Sequence, residues 1–172
     1  VEHVTLVDLD GQLLNLFGND VGDYDAPEEI RTRLTALNKH SMSDPRADIR
    51  IADAFLEVEA MLAKGERFDT ILIDLPDPNH PDLNKMYSDY FYNHVRQLLA
   101  PDGAVAVQST SPYHAKKAFL SIAKTMKAAG FGYVEQYQQN IPSFGQWGWT
   151  IATTAGKSAS QRIRETNELP VP

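Results

Sequence analysis

Short β-branched runs that end in an acid or an amide alternate along this chain with stretches of helical period. Residues 4–10, Val-Thr-Leu-Val-Asp-Leu-Asp, read as a buried strand already in progress at the first residues. Residues 47–52 read as a second strand, with Ile49 and Ile51 on one face. Residues 68–74 read as a third, apolar enough to be buried on both faces, and residues 104–108 as a fourth. Between them the spacing predicts helices carrying Ile30, Leu34 and Leu37, then Phe55, Val58 and Leu62, then Phe91, Val95, Leu98 and Leu99, then Ala115, Phe119, Ile122 and Met126. Pro27-Glu28-Glu29, Ser88 and Pro112 read as helix starts, and Gly65 and Gly130 as stops. Residues 131–138 and 147–153 read as two last strands whose connection is too short for a helix, so they pair antiparallel. This order implies an α/β fold: a mostly parallel sheet with helices on both faces and a C-terminal antiparallel hairpin.

The remaining segments read as connections. Residues 11–17 suit one or two helical turns, and residues 18–25 are a polar, Gly-rich loop expected to be mobile. Residues 75–85 hold three prolines and are expected to lack regular structure, and residues 80–87 suit a lid. Residues 1–154 are expected to form one domain and residues 155–172 a polar tail. The start, Val1-Glu2-His3-Val4, lacks Met and a signal core and reads as a chain cut from something longer. Cysteine is absent, which excludes a disulfide framework, a thiolate zinc site and a cysteine nucleophile. The formal charge of −7 argues against nucleic acid as a partner and suits cationic ligands. The five histidines show no metal-ligand spacing and read as surface or packing residues.

In such sheets, ligands gather at the carboxyl ends of the strands, where Asp8, Asp53, Asp74 and Gln108 fall. Asp8 suits a ribose-binding acid, or else a helix cap; Asp10 fits the cap well. Asp53 could accept the exocyclic amine of a purine, with the apolar Ala54-Phe55 against the ring, or cap the helix that follows. Asp74-Leu75-Pro76-Asp77-Pro78 places two acids three apart on a stiff turn. Paired carboxylates bind cations, and one can accept a proton. An ordinary turn would explain Asp77-Pro78 but would not need Asp74. Tyr87, Tyr90 and Tyr92 cluster nearby and could hold an alkyl amine by cation–π contact, with at least one of them expected to be core only.

Taken in order, Val7-Asp8-Leu9-Asp10, Asp44-Pro45-Arg46, Asp53-Ala54-Phe55, the run from Phe68 to Pro78, Tyr87-Ser88-Asp89-Tyr90-Phe91-Tyr92 and Leu98-Leu99-Ala100-Pro101-Asp102-Gly103 resemble the catalytic domain of spermidine synthases, the polyamine aminopropyltransferases. Gln108-Ser109-Thr110-Ser111-Pro112-Tyr113 and the Pro142 to Gly148 segment resemble most the bacterial branch fused to membrane helices. The resemblance implies a Rossmann-like fold of the S-adenosylmethionine-dependent methyltransferase type. It implies transfer of an aminopropyl group from decarboxylated S-adenosylmethionine, a co-substrate rather than a tightly bound cofactor, to putrescine or a related amine. Asp74 would be the proton acceptor, and Asp77, Tyr87, Gln108 and Phe144 would line the amine. Asp8, Asp53, Ala54 and Leu75 would line the nucleoside, with no metal. A homo-oligomer is implied too, cytoplasmic or on the cytosolic side of a membrane-embedded parent.

Three departures stand against the family pattern. The family's Gly-rich loop, first strand and helix and small N-terminal β domain are missing here, so a gap, repacking or a donated strand is expected, and little activity from this fragment alone. The usual Asp-Ser-Ser-Asp-Pro is Asp74-Leu75-Pro76-Asp77-Pro78. The family's substrate tyrosine near the last hairpin is Phe144. Two rival readings follow: a methyltransferase, because Asp-Leu-Pro-Asp is similar to the Asp-Pro-Pro-Tyr turn of amine methyltransferases, and a non-catalytic ligand-binding domain of a membrane protein.

Overall fold

The computed structural model describes residues 1–18 and 27–166, so most of the expected polar loop at 18–25 lies outside the described residues. The chain forms two compact units, Val1–Glu57 and Val58–Pro172.

In the first unit β1 (Val4–Asp8) pairs in parallel with β2 (Ala47–Ile51), Val4 opposite Ala47 and Asp8 opposite Ile51. The parallel register needs a crossover, supplied by α1 (Gly11–Leu16) and α2 (Glu28–Leu37). Asp10 caps α1, its Oδ1 accepting the Gln12 and Leu13 amides at 3.0 Å. Pro27 precedes α2, and Glu28 and Glu29 occupy its first turn as expected. The expected apolar stripe of α2 is not a core face: Ile30 is 49% and Leu37 78% exposed, while Leu14 of α1 is buried. α3 (Ala54–Ala63) begins in this unit.

The second unit holds a four-stranded sheet in the order β3-β4-β6-β5. β3 (Phe68–Ile73) and β4 (Leu99–Gln108) run parallel, and β6 (Gly145–Thr153) inserts antiparallel between β4 and β5 (Tyr133–Ile141). The hairpin is therefore antiparallel as read. The Pro101-Asp102-Gly103 turn is absorbed into β4, where the register with β3 shifts between Phe68 and Thr70. Alternation along β4 turns Val105 and Val107 inward. Helix α5 (Asp89–Leu98), capped by Ser88, contributes Tyr92, Val95 and Leu98 to the core, and α6 (Lys116–Ala128) contributes Ile122 and Met126. α6 starts four residues after Pro112, because Ser111 Oγ accepts the Tyr113 and His114 amides in a separate turn. Among the described residues β1 pairs only with β2, and β3 only with β4; Leu72 of β3 is 76% exposed.

Two segments are more ordered than their composition suggests. Pro81–Asn84 forms a single turn of helix, α4, and Lys85–Tyr87 a 3-10 turn. Pro81 sits at the start of α4, where its missing amide costs nothing, so the three prolines do not exclude helix there. In the expected tail, Ser158 and Gln161 form a reciprocal capping box that starts α7 (Ala159–Glu165). Glu135 of β5 clamps that start by accepting the Ser160 amide and hydroxyl, and these bonds hold the Glu135 carboxyl below its ordinary range. Among the described residues, no helix is long and apolar enough to cross a membrane.

A buried polar chain ties β4 to the hairpin. Gln136 donates to Thr150 Oγ1 at 3.2 Å, the Thr150 and Ser109 hydroxyls meet at 2.8 Å, and Ser109 Oγ donates to the Val107 carbonyl at 2.9 Å. Beside it Gly148 lies under the Phe119 ring. A Cβ there would collide with that ring and stand 3.1 Å from the Thr110 carbonyl oxygen. Gly148→Ala is expected to lower stability by about 1–3 kcal/mol through overpacking, read as a lower urea midpoint with an unchanged slope.

Candidate active site

The parallel β3–β4 pair directs both chain ends toward one edge of the second sheet, and the two acids of the Asp74–Pro78 turn lie there. Asp74 follows β3 directly, is exposed, and makes no hydrogen bond or ion pair within the described residues. Asp77 is half-buried and gripped on both oxygens. Gln108 Nε2 donates to Oδ1 at 2.9 Å, and Thr110 Oγ1 donates to Oδ2 at 3.0 Å. Gln108 is itself oriented, because its Oε1 accepts the Thr110 amide at 2.6 Å. Three groups thus close a ring: Asp77, Gln108 and Thr110.

The turn is braced from beneath. The Tyr87 hydroxyl donates to the Pro76 carbonyl at 2.9 Å and the Leu75 carbonyl at 3.2 Å. Tyr87 is buried, and burial, followed by the nearby Asp77 and Asp74 carboxylates, pushes its phenol well above the ordinary tyrosine range. Its hydroxyl therefore stays protonated as a donor. Tyr92 is fully buried, so the expectation that one of the three tyrosines serves only the core holds. Tyr90 is exposed and donates to Glu59 at 2.8 Å.

The second unit thus brings Asp74, Leu75, Asp77, Tyr87 and Gln108 together. Phe144 stands at the hairpin tip, 64% exposed, its ring centroid 5.4 Å from that of Trp147. In the first unit, the Ala52 amide donates to the Asp8 carbonyl at 2.9 Å, which sets Asp8 and Asp53 at one end of β1–β2. Asp8 Oδ1 accepts the Asp10 amide at 2.8 Å. Asp53 Oδ1 accepts the Phe55 amide at 2.8 Å just before Ala54 opens α3, which is the capping geometry weighed for it. Among the described residues no three His, Asp or Glu side chains converge as a metal site would.

Residues 1–164 match the Spermine/spermidine synthase domain. The chain belongs to this family. Spermine/spermidine synthase relatives include a "Polyamine aminopropyltransferase" of Shewanella oneidensis, 52% identical over 170 residues, and "Polyamine aminopropyltransferase 1" of Streptomyces coelicolor, 40% identical over 172. The alignments cover 99% and 98% of this chain but 29% of each relative. Among solved structures, a spermidine synthase in complex with the transition state analogue AdoDATO superimposes with a TM-score of 0.71 at 20% identity, covering 98% of this chain and 54% of that one. The spermidine synthase from Thermotoga maritima gives 0.69 at 20% identity, with 98% and 53% covered. The Rossmann-like fold is thereby established for this member of the spermine/spermidine synthase family.

Sequence reasoning missed Thr110. Nothing in its spacing marks it, since its role depends on a backbone conformation and on a partner 33 residues away. For Tyr87, Tyr87→Phe is expected to cost about 1 kcal/mol by leaving the Pro76 carbonyl without its donor, measured by thermal and urea denaturation.

Proposed function

We propose that this chain carries the catalytic site of a polyamine aminopropyltransferase, which moves an aminopropyl group from decarboxylated S-adenosylmethionine to putrescine or a related amine. The observation that carries this reading is the asymmetry of the two carboxylates. Asp77 is fixed on both oxygens, while Asp74, three residues away, has an exposed carboxylate with no partner among the described residues. A fixed carboxylate orients a cation, and an unengaged one can receive a proton.

The chemistry needs both. The attacking amine is an ammonium at neutral pH and has no lone pair until it gives up a proton. Asp74 accepts that proton. The nitrogen then forms a bond to the propyl carbon beside the sulfonium, and the carbon–sulfur bond breaks with its electron pair passing to sulfur. The sulfonium becomes the neutral thioether methylthioadenosine, and the amine carries the new chain. Asp77 binds the cationic acceptor by its fixed charge, so that two cations meet beside a compensating anion. In the first unit, Asp8 suits the ribose hydroxyls and Asp53 the adenine amine, with Ala54 as an apolar neighbour; in the second, Leu75 is an apolar residue suited to the nucleoside. Tyr87 and Gln108 keep the turn in place, and Phe144 gives the acceptor end an apolar wall. The relatives named for polyamine aminopropyl transfer support this reading. The membrane-embedded parent, its cytosolic side and the homo-oligomer belong to the same proposal.

In the full-length protein, Asp74→Asn is expected to slow methylthioadenosine release by about a hundredfold or more with binding of decarboxylated S-adenosylmethionine retained, measured by chromatography and calorimetry. Undiminished turnover in this variant overturns the assignment. A calorimetric preference for S-adenosylmethionine over its decarboxylated form points instead to methyl transfer.

A further inference from the structure

Thr110 has a backbone conformation that its side chain disfavours. Its φ is +59°, in the left-handed region, where a β-branched residue is a genuine outlier. Such a conformation persists only when its surroundings impose it. Here they do so on both sides. The Ser109 amide donates to the Gly148 carbonyl at 2.9 Å, and the Gly148 amide donates to the Thr110 carbonyl at 2.9 Å. Ser109 is locked by Thr150, and Ser111 caps the following turn. Thr110 is 2% exposed. Glycine or asparagine would adopt this φ more readily. What threonine supplies in their place is a hydroxyl at 3.0 Å from Asp77 Oδ2; the backbone amide at 2.6 Å from Gln108 Oε1 is one that any residue held in this conformation would offer.

We infer that Thr110 is a positioning residue for the acceptor amine: its strained backbone holds the Asp77 carboxylate in one orientation, directly through its hydroxyl and indirectly through Gln108. This rests on the aminopropyltransferase reading for the identity of the amine, though not for the geometry. Asp77 has two rotatable bonds and is half-buried in its turn. With Oδ2 released, Gln108 alone would fix one oxygen, and the carboxylate could pivot about it. The amine would then meet a mobile anion. Proton acceptance by Asp74 would be untouched, because no hydrogen bond joins Thr110 to it.

The test uses the full-length protein with putrescine and decarboxylated S-adenosylmethionine. Thr110→Val keeps shape and removes the hydroxyl; it is expected to raise the KM for putrescine about tenfold, with kcat and the KM for the sulfonium within about twofold of wild type. Thr110→Ser restores the hydroxyl and is expected to return the putrescine KM to near the wild-type value. Thr110→Gly relieves the backbone and still lacks the hydroxyl, so it is expected to match Thr110→Val in KM while differing from it in thermal midpoint. A KM for putrescine unchanged in Thr110→Val, or a fall confined to kcat, overturns the inference. If the wild-type protein forms no methylthioadenosine, the aminopropyltransferase reading fails separately. Crystal structures of wild type and Thr110→Val then decide the positioning claim: an Asp77 side chain that leaves its orientation supports it, and one that stays refutes it.

Discussion

Two backbone hydrogen bonds between β6 and the end of β4 govern the candidate site. Gly148 gives its amide to the Thr110 carbonyl and accepts the Ser109 amide, and it can do so because it has no Cβ to meet the Phe119 ring. That close approach fixes the backbone of Thr110, the conformation of Thr110 aims its hydroxyl, and the hydroxyl and Gln108 together fix Asp77. A glycine on the last strand thus sets the orientation of an acid in a turn that follows an earlier one.

The mixed sheet makes this arrangement possible. A parallel pair, β3 and β4, gathers the chain ends where Asp74, Asp77 and Gln108 emerge. A third parallel strand would reach that edge with its own terminal loop. An antiparallel one, β6, instead starts there, with Trp149 opposite Gln108 and Gly148 bonded to Ser109 and Thr110 just beyond the end of β4. Tyr87 adds rigidity from the helical side by bonding two consecutive carbonyls of the turn. Asp74 alone is left without a partner among the described residues, so the site joins one immobilised charge to one available for exchange.

Much of this was legible in the sequence, because it depends on local pattern. The strands of the described residues follow from short apolar runs, α5 from Ser88 and its apolar period, and the paired acids from an Asp74 that no ordinary turn requires. What escaped reading depends on contacts between distant positions. The apolar stripe of α2 keeps helical spacing but is largely exposed, since periodicity marks a face without saying what packs on it. Pro81 reads as a breaker by composition, although its place in the first turn of α4 makes it a starter. The Ser158–Gln161 capping box was present in the letters but hidden in a polar stretch. Thr110 could not be read at all, because its left-handed backbone comes from Gly148, 38 residues downstream, by the difference of the two residue numbers.

The insertion of β6 between β4 and β5 also orders events in time. A chain emerging from the ribosome presents β3, β4 and the Asp74–Asp77 turn long before Gly148 is made. Until the hairpin returns and slots beside β4, Thr110 has nothing to force it out of an ordinary conformation, and Asp77 keeps its freedom. Pairings across many residues form late because their loops must close first. The second unit therefore cannot anchor this carboxylate before its last strand is in place, and a chain still lacking that strand displays the acids without the geometry that gives them a use.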